Sequence, residues 1–226
     1  MNQRQEKLFK NIVQEHISQA KAIGSKFLAD KYSLDISPAT IRHDMVELES
    51  QGLIYQPHTS AGRIPTAKGY QYYVDNFLTS RKISSKEKQL LKNTWNLYKK
   101  NGSEIGVKNL AKKISELTKS AAIVAFSKDN VYYTGISNLL SQPEFADFDT
   151  IYNIGAVVDH LDEVLEDIFE QVKDTEIKIG DQNCFSNRCS SILTKKENKL
   201  FGILGPIRMD YEKNLGLVNY SRELIS

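Results

Sequence analysis

The chain has 226 residues, 40% hydrophobic and 26% charged, with a formal net charge of +2. That composition excludes collagen-like, low-complexity and wholly disordered chains, and the length suits two compact domains. The longest apolar runs, Ala121–Phe126 and Gly155–Val158, fall far short of the ~20 residues that cross a bilayer. No apolar signal core opens the chain, so a cytoplasmic protein without a membrane partner is expected. The charge is unevenly spread: residues 1–120 carry 20 Lys+Arg against 11 Asp+Glu and residues 121–226 carry 10 against 17, making the halves +9 and −7. A basic half suits a polyanion, because phosphates are met by Lys and Arg. The lysine-rich stretch 83–120 equally suits a solvated helix face. Cys184 and Cys189, with four residues between them, lack zinc-ligand spacing and are expected to be reduced structural thiols.

In chain order, the first predicted helix runs from about Gln5 to Ala20, with Leu8, Phe9, Ile12, Val13 and Ile17 on one stripe. Gly24 breaks it, Ser25 is placed to cap a short second helix holding Phe27, Leu28 and Ala29, and Lys31–Asp35 turns the chain. A third helix follows over Ser37–Gln51. Ser37 suits the N-cap, Pro38 the first helical position, and Gly52 the C-terminal end, while Ile41, Met45 and Leu48 mark the buried face. Three helices in about fifty residues make a helix-turn-helix, with Ser37–Gln51 as its recognition helix. Leu53–Gln56 and Arg63–Pro65 read as short strands around the loop Pro57–Gly62, which completes a winged helix.

In such a unit Ser37, Ala39, Thr40, Arg42 and His43 lie on the outer side of the recognition helix. There their hydroxyl, guanidinium and imidazole groups meet base edges and phosphates. The loop offers His58, Thr59, Ser60, Gly62 and Arg63 to phosphates or to the minor groove. On residues alone a winged helix that makes only protein contacts stays open. Tyr70, Tyr72 and Tyr73 are expected to pack the next helix onto the first rather than to stack on bases.

Lysine-rich helices are expected over 84–118. Their apolar residues Leu90, Leu91, Trp95, Leu97, Tyr98, Ile105, Leu110, Ile114 and Leu117 either pack within the chain or face a partner. Ala121–Phe126 and Val131–Thr134 predict a hairpin about Ser127–Asn130. An acidic helical region follows from about Asp147 to Val172, then strands at Glu176–Ile179, Ser190–Thr194 and Lys199–Leu204, and a helix at Tyr211–Leu224. The whole is an α+β sandwich of sheet and helices. Gly202 and Gly205-Pro206 read as a backbone turn before the last helix, with Arg208 paired to Asp210 or to an acid of 147–172. No phosphate loop, nucleophile with its base, or metal spacing is present, so no catalytic residue, cofactor or metal is expected.

The strings SPATIRHDMVELESQGLI (37–54) and QPHTSAGRIPTAKGYQYYVD (56–75), followed in order by LAKKISELTKSAAIV (110–124), GISNLLSQPEF (135–145) and GILGPIRMDY (202–211), run along nearly the whole chain. In them the sequence resembles the heat-inducible transcription repressor family, HrcA. The resemblance implies an N-terminal winged helix-turn-helix followed by a GAF-like α/β sandwich. The domains are then a DNA-binding domain over 1–80, a helical linker over 81–120 and a regulatory domain over 121–226. It implies a repressor that binds an inverted-repeat operator in double-stranded DNA upstream of chaperone genes, as a homodimer, with the GroE chaperonin as modulator and no enzyme activity. Heat or chaperonin titration would release the genes.

One departure stands out. Family members carry a dimerising domain of about a hundred residues where this chain has only Ala125–Thr134, so the source of two-fold symmetry must be found elsewhere, in the helices over 84–118 or on the DNA itself. Two rivals remain: a winged-helix regulator whose GAF-like domain senses a small molecule, and an enzyme that uses Cys184 or Cys189 with His160.

Overall fold

The computed structural model describes residues 1–32, 36–79, 83–147, 151–152, 155, 161–196 and 198–225, with the backbone alone at 161–163 and 167. The chain divides into two compact units, Met1–Leu78 and Thr79–Ser226.

The first unit runs α1 (Gln3–Gln19), α2 (Ser25–Tyr32), α3 (Pro38–Ser50), β1 (Ile54–Tyr55), β2 (Ile64–Pro65) and α4 (Ala67–Phe77). A capping box starts α1: the Asn2 side chain accepts from the Gln5 amide at 2.9 Å, and the Gln5 side chain accepts from the Asn2 amide at 3.0 Å. The stripe Leu8, Phe9, Ile12 and Val13 is buried, and so are Leu28, Ile41, Met45, Leu48, Tyr70 and Tyr73 from the helices around it. Each such side chain contributes about 1.5–3 kcal/mol of burial. Tyr72 packs edge-on to Phe9 at 5.9 Å between ring centroids, so the tyrosines of α4 join the helical core. Ser25 lies inside α2 as its first residue, and Gly24 precedes the helix.

Glu15 ties α1 to the end of α2. Its carboxylate accepts from the Tyr32 hydroxyl at 2.6 Å and from Gln19 at 2.7 Å, and it pairs with Lys31 at 2.6 Å. Burial raises the Glu15 pKa, but the hydrogen bonds from Lys31, Tyr32 and Gln19, with the Lys31 charge, outweigh it and leave the group below its ordinary value. Burial and the same carboxylate push the Tyr32 phenol up to about 12.

The second unit runs α5 (Ser85–Tyr98), α6 (Ser103–Thr118), β3 (Ala121–Ser127), β4 (Asn130–Thr134), α7 (Ile136–Leu140), α8 (Leu161–Gln171), β5 (Glu176–Ile179), β6 (Cys189–Lys196), β7 (Lys199–Pro206) and α9 (Tyr211–Leu224). The strands form a five-stranded antiparallel sheet in the order β4-β3-β7-β6-β5. Strand alternation divides the core in two. Ala121, Ile123, Ala125, Leu193, Leu200 and Leu204 meet Leu139, Phe145, Leu165, Ile168 and Phe169 on one face. The opposite face is covered by α6 and α9. This is the sandwich of the expected α+β class, with helices on both sides of the sheet.

The helices over 84–118 belong to this unit. A Ser84–Glu87 capping box starts α5. Leu91, Leu110 and Ile114 are buried within the chain, whereas Leu90, Leu97 and Ile105 are exposed. Of the acidic helical region, helix α8 covers Leu161–Gln171, and much of 147–160 lies outside the described residues.

One expectation needs correction. Gly202 and Gly205-Pro206 form no turn: they lie inside β7, and the chain turns after Pro206. Gly202 is there because the neighbouring strand β6 pairs so closely that a Cβ would sit 2.4 Å from the Ile192 carbonyl oxygen. Arg208 pairs with Glu144 and also donates to Gln142 at 3.3 Å; of the acids of 147–172, Asp149 and Asp159 lie outside the described residues.

Two outcomes follow. Gly202→Ala should cost about 1–3 kcal/mol through overpacking, seen as a lower urea midpoint for the second unit; an unchanged midpoint contradicts the close approach of β6. Because the folded-state pKa of Glu15 is lowered, its contribution is complete above the ordinary value of 4.5 and is lost as pH falls through the folded value. Glu15→Gln should therefore destabilise at neutral pH, and the gap to wild type should close in acid, as measured by urea unfolding across pH.

Candidate nucleic-acid interface

The candidate surface is built around α3. Ser37 caps it, its hydroxyl accepting from the Thr40 amide at 3.1 Å and lying 3.0 Å from the Thr40 hydroxyl. The helix sits on α1 through Ile41, Met45 and Leu48, all buried. A bidentate pair adds to this contact: Arg4 Nε and Nη2 donate to the Asp44 carboxylate at 2.8 and 2.7 Å, with the Asp44 side chain fully buried. The hydrogen bond to Asp44 and its charge raise the Arg4 pKa. Gln5 of α1 donates to Glu47, whose other oxygen lies 3.3 Å from His43 Nε2. With its inner face held, α3 turns Ala39, Arg42 and His43 to solvent, with Ser37 exposed at its start and Thr40 half-buried.

The wing is fastened to the same helix by Glu49. Its Oε1 accepts from the Gln56 amide at 2.9 Å, next to β1, while its Oε2 lies 3.0 Å from both Nε and Nη2 of Arg63, next to β2. One carboxylate thus grips both arms of the hairpin, which pairs Ile54 with Pro65 and Tyr55 with Ile64. The Gln56 side chain donates to the carbonyls of Thr59 and Ala61 at 2.9 Å each and shapes the loop. Behind the wing, Ile23 and Arg63 exchange backbone hydrogen bonds at 2.9 Å. A Cβ on Gly62 would sit 2.3 Å from the Ile23 carbonyl oxygen, so only glycine permits this approach.

Apart from the half-buried Thr40, the residues singled out in the sequence therefore fall into two sets. Ser37, Ala39, Arg42 and His43 lie outward on α3, and His58, Thr59 and Ser60 are exposed on the wing loop. Gly62 and Arg63 are drawn inward, Arg63 being only 8% exposed. Sequence reading did not single out Glu49, Gln56 or Val46. Val46 was legible from its spacing to Ala39, Arg42 and His43, whereas the Glu49–Arg63 pairing spans fourteen positions and follows no local pattern.

Elsewhere the chemistry is sparse. Among the described residues no group of His, Cys, Asp and Glu is placed to hold a metal, and no helix is long and apolar enough to cross a membrane. Burial pushes the Cys189 thiol up to about 12, against a hydrogen bond with Ser186 that lowers it, so it is protonated and a poor nucleophile. Cys184 is exposed, and His160 lies outside the described residues. An open cleft of about 560 Å³ lies by β5, β6 and α9, lined in part by Asp174, Thr175, Asn219 and Arg222. Arg222 pairs there with Asp174 at 2.7 Å.

Glu49→Ala should release the wing, raising amide hydrogen exchange at Gln56 and Arg63 and costing roughly 1–3 kcal/mol, while α1 and α3 keep their protection. Unchanged exchange in the wing contradicts the clamp.

Comparison with known proteins places these features. Residues 71–215 match the model of the HrcA protein C terminal domain, and residues 30–66 match a DeoR-like helix-turn-helix domain. A heat-inducible transcription repressor HrcA of Desulforudis audaxviator is 40% identical over 125 residues, which are 55% of this chain and 36% of that relative. The matched stretch thus spans little more than a third of its length. The HrcA of Desulfitobacterium hafniense is 27% identical over 328 positions, covering 97% of this chain and 95% of that relative. Those 328 positions exceed the 226 residues here by 102 while both proteins are covered almost end to end, so the difference in length is internal. In fold, a crystal structure of a hypothetical protein superposes with a TM-score of 0.76 at 18% identity, covering 100% of this chain and 98% of that one.

Proposed function

This chain belongs to the HrcA family, and from that premise we propose that it represses chaperone genes by binding an inverted-repeat operator in double-stranded DNA. It acts as a homodimer, at least on the DNA, in the cytoplasm and without enzyme activity. The observation that carries the reading is the outward stripe of Ala39, Arg42 and His43 on a helix whose opposite face is buried, with the wing clamped beside it through Glu49.

On a duplex, α3 enters the major groove. Arg42 and His43 meet base edges and Ala39 lies against them, while Ser37 and Thr40 at the helix start contact phosphates. His58, Thr59 and Ser60 follow the backbone or the minor groove. Gly62 and Arg63 serve the same surface by fixing the wing. The GAF-like domain regulates this activity, with the GroE chaperonin as modulator, and heat or chaperonin titration ends repression. The dimer forms without the family's inserted domain, since β3 and β4 here join directly as a hairpin. The operator's own symmetry then brings two chains together. A second reading, in which this domain senses a small molecule, has the cleft beside Asp174 and Arg222 in its favour; a ligand-dependent rise in melting temperature would identify it.

A fluorescence-anisotropy titration of the full inverted repeat, one half-site and a scrambled duplex at two salt concentrations tests the proposal. The full repeat should bind at least ~10³-fold tighter than the scrambled duplex, with two chains per duplex. Arg42→Ala should cost about 1–3 kcal/mol and relax base preference. Equal, weak binding to all three duplexes overturns the repressor reading.

A further inference from the structure

The reading helix carries one large apolar side chain on its outward face. Three of its apolar residues, Ile41, Met45 and Leu48, are buried, but Val46 is 50% exposed. It stands four residues after Arg42 and three after His43, so these side chains neighbour one another on the outward stripe that begins at Ala39. A β-branched residue is a weak helix former, and its exposed methyls gain nothing from water. Local structure therefore gives no reason for valine here.

Resting on the proposed DNA reading, we infer that Val46 is a specificity-determining residue that packs against the C5-methyl group of a thymine. In the major groove that methyl is the apolar group the bases present. Arg42 and His43 offer hydrogen bonds to base edges on the same stripe, and Val46 adds a contact to a neighbouring base pair that only thymine satisfies. The reading helix then combines polar and apolar recognition, and a T·A pair is preferred at one position of each half-site.

The test uses the full chain and a duplex enriched by the protein itself from a random library. Each thymine of the bound site is replaced in turn by uracil, which removes the methyl and keeps the base pairing. The wild type should lose roughly fourfold in affinity at one position per half-site. Val46→Ala should bind the thymine duplex about fourfold more weakly and be indifferent to uracil at that position.

Specific binding with every uracil tolerated, or a Val46→Ala protein still sensitive at the same thymine, overturns the inference and leaves the DNA reading intact. If no sequence is enriched, the DNA reading falls and the inference with it.

Discussion

The Glu49 carboxylate is the contact on which the candidate surface depends. It stands near the C-terminal end of the recognition helix and holds Gln56 before the wing loop and Arg63 after it. A hairpin of two-residue strands has too few ladder bonds to hold a position by itself. Clamped to α3 and backed by the Ile23–Arg63 bridge, it becomes an extension of the helix. Helix and wing then meet a ligand as one body, which lowers the ordering cost of binding. The helix has its own anchorage: a buried apolar face and the Arg4–Asp44 pair leave one face free, the face that the proposed reading turns to the bases.

Much of this was legible in the sequence. The Ser37 cap, the Pro38 start, and the apolar spacing of Ile41, Met45 and Leu48 placed α3 correctly, because capping and periodicity are local rules. The hairpin strands of the second unit and its last helix followed from the same rules. What escaped was long-range. Whether Arg63 faced a phosphate or a carboxylate depended on Glu49, fourteen residues away, and no local pattern records that pairing. Gly205-Pro206 looked like a turn because those residues favour turns, yet tertiary packing placed them in a strand. Arg208 pairs with Glu144, 64 positions away in the chain, a separation that no local rule spans.

The second unit bears on symmetry. Its β3–β4 hairpin closes directly, and the length missing relative to the Desulfitobacterium hafniense protein is internal. Part of the apolar surface of the lysine-rich helices is spent within the chain, with Leu91, Leu110 and Ile114 buried, while Leu90 and Leu97 remain exposed on α5. In the proposed account the operator supplies the two-fold relation, and protein contacts add to it once both half-sites are filled.

The central claim is that duplex DNA meets the outward stripe of α3 together with the wing loop. Chemical-shift mapping of isotopically labelled protein during titration with the enriched duplex tests it most directly. The account predicts that the largest changes fall at Ala39, Arg42, His43 and Val46 and at His58, Thr59 and Ser60, with the core signals of Ile12 and Leu48 little moved. Saturating changes confined to the lysine-rich helices α5 and α6, with α3 and the wing unmoved, would contradict it.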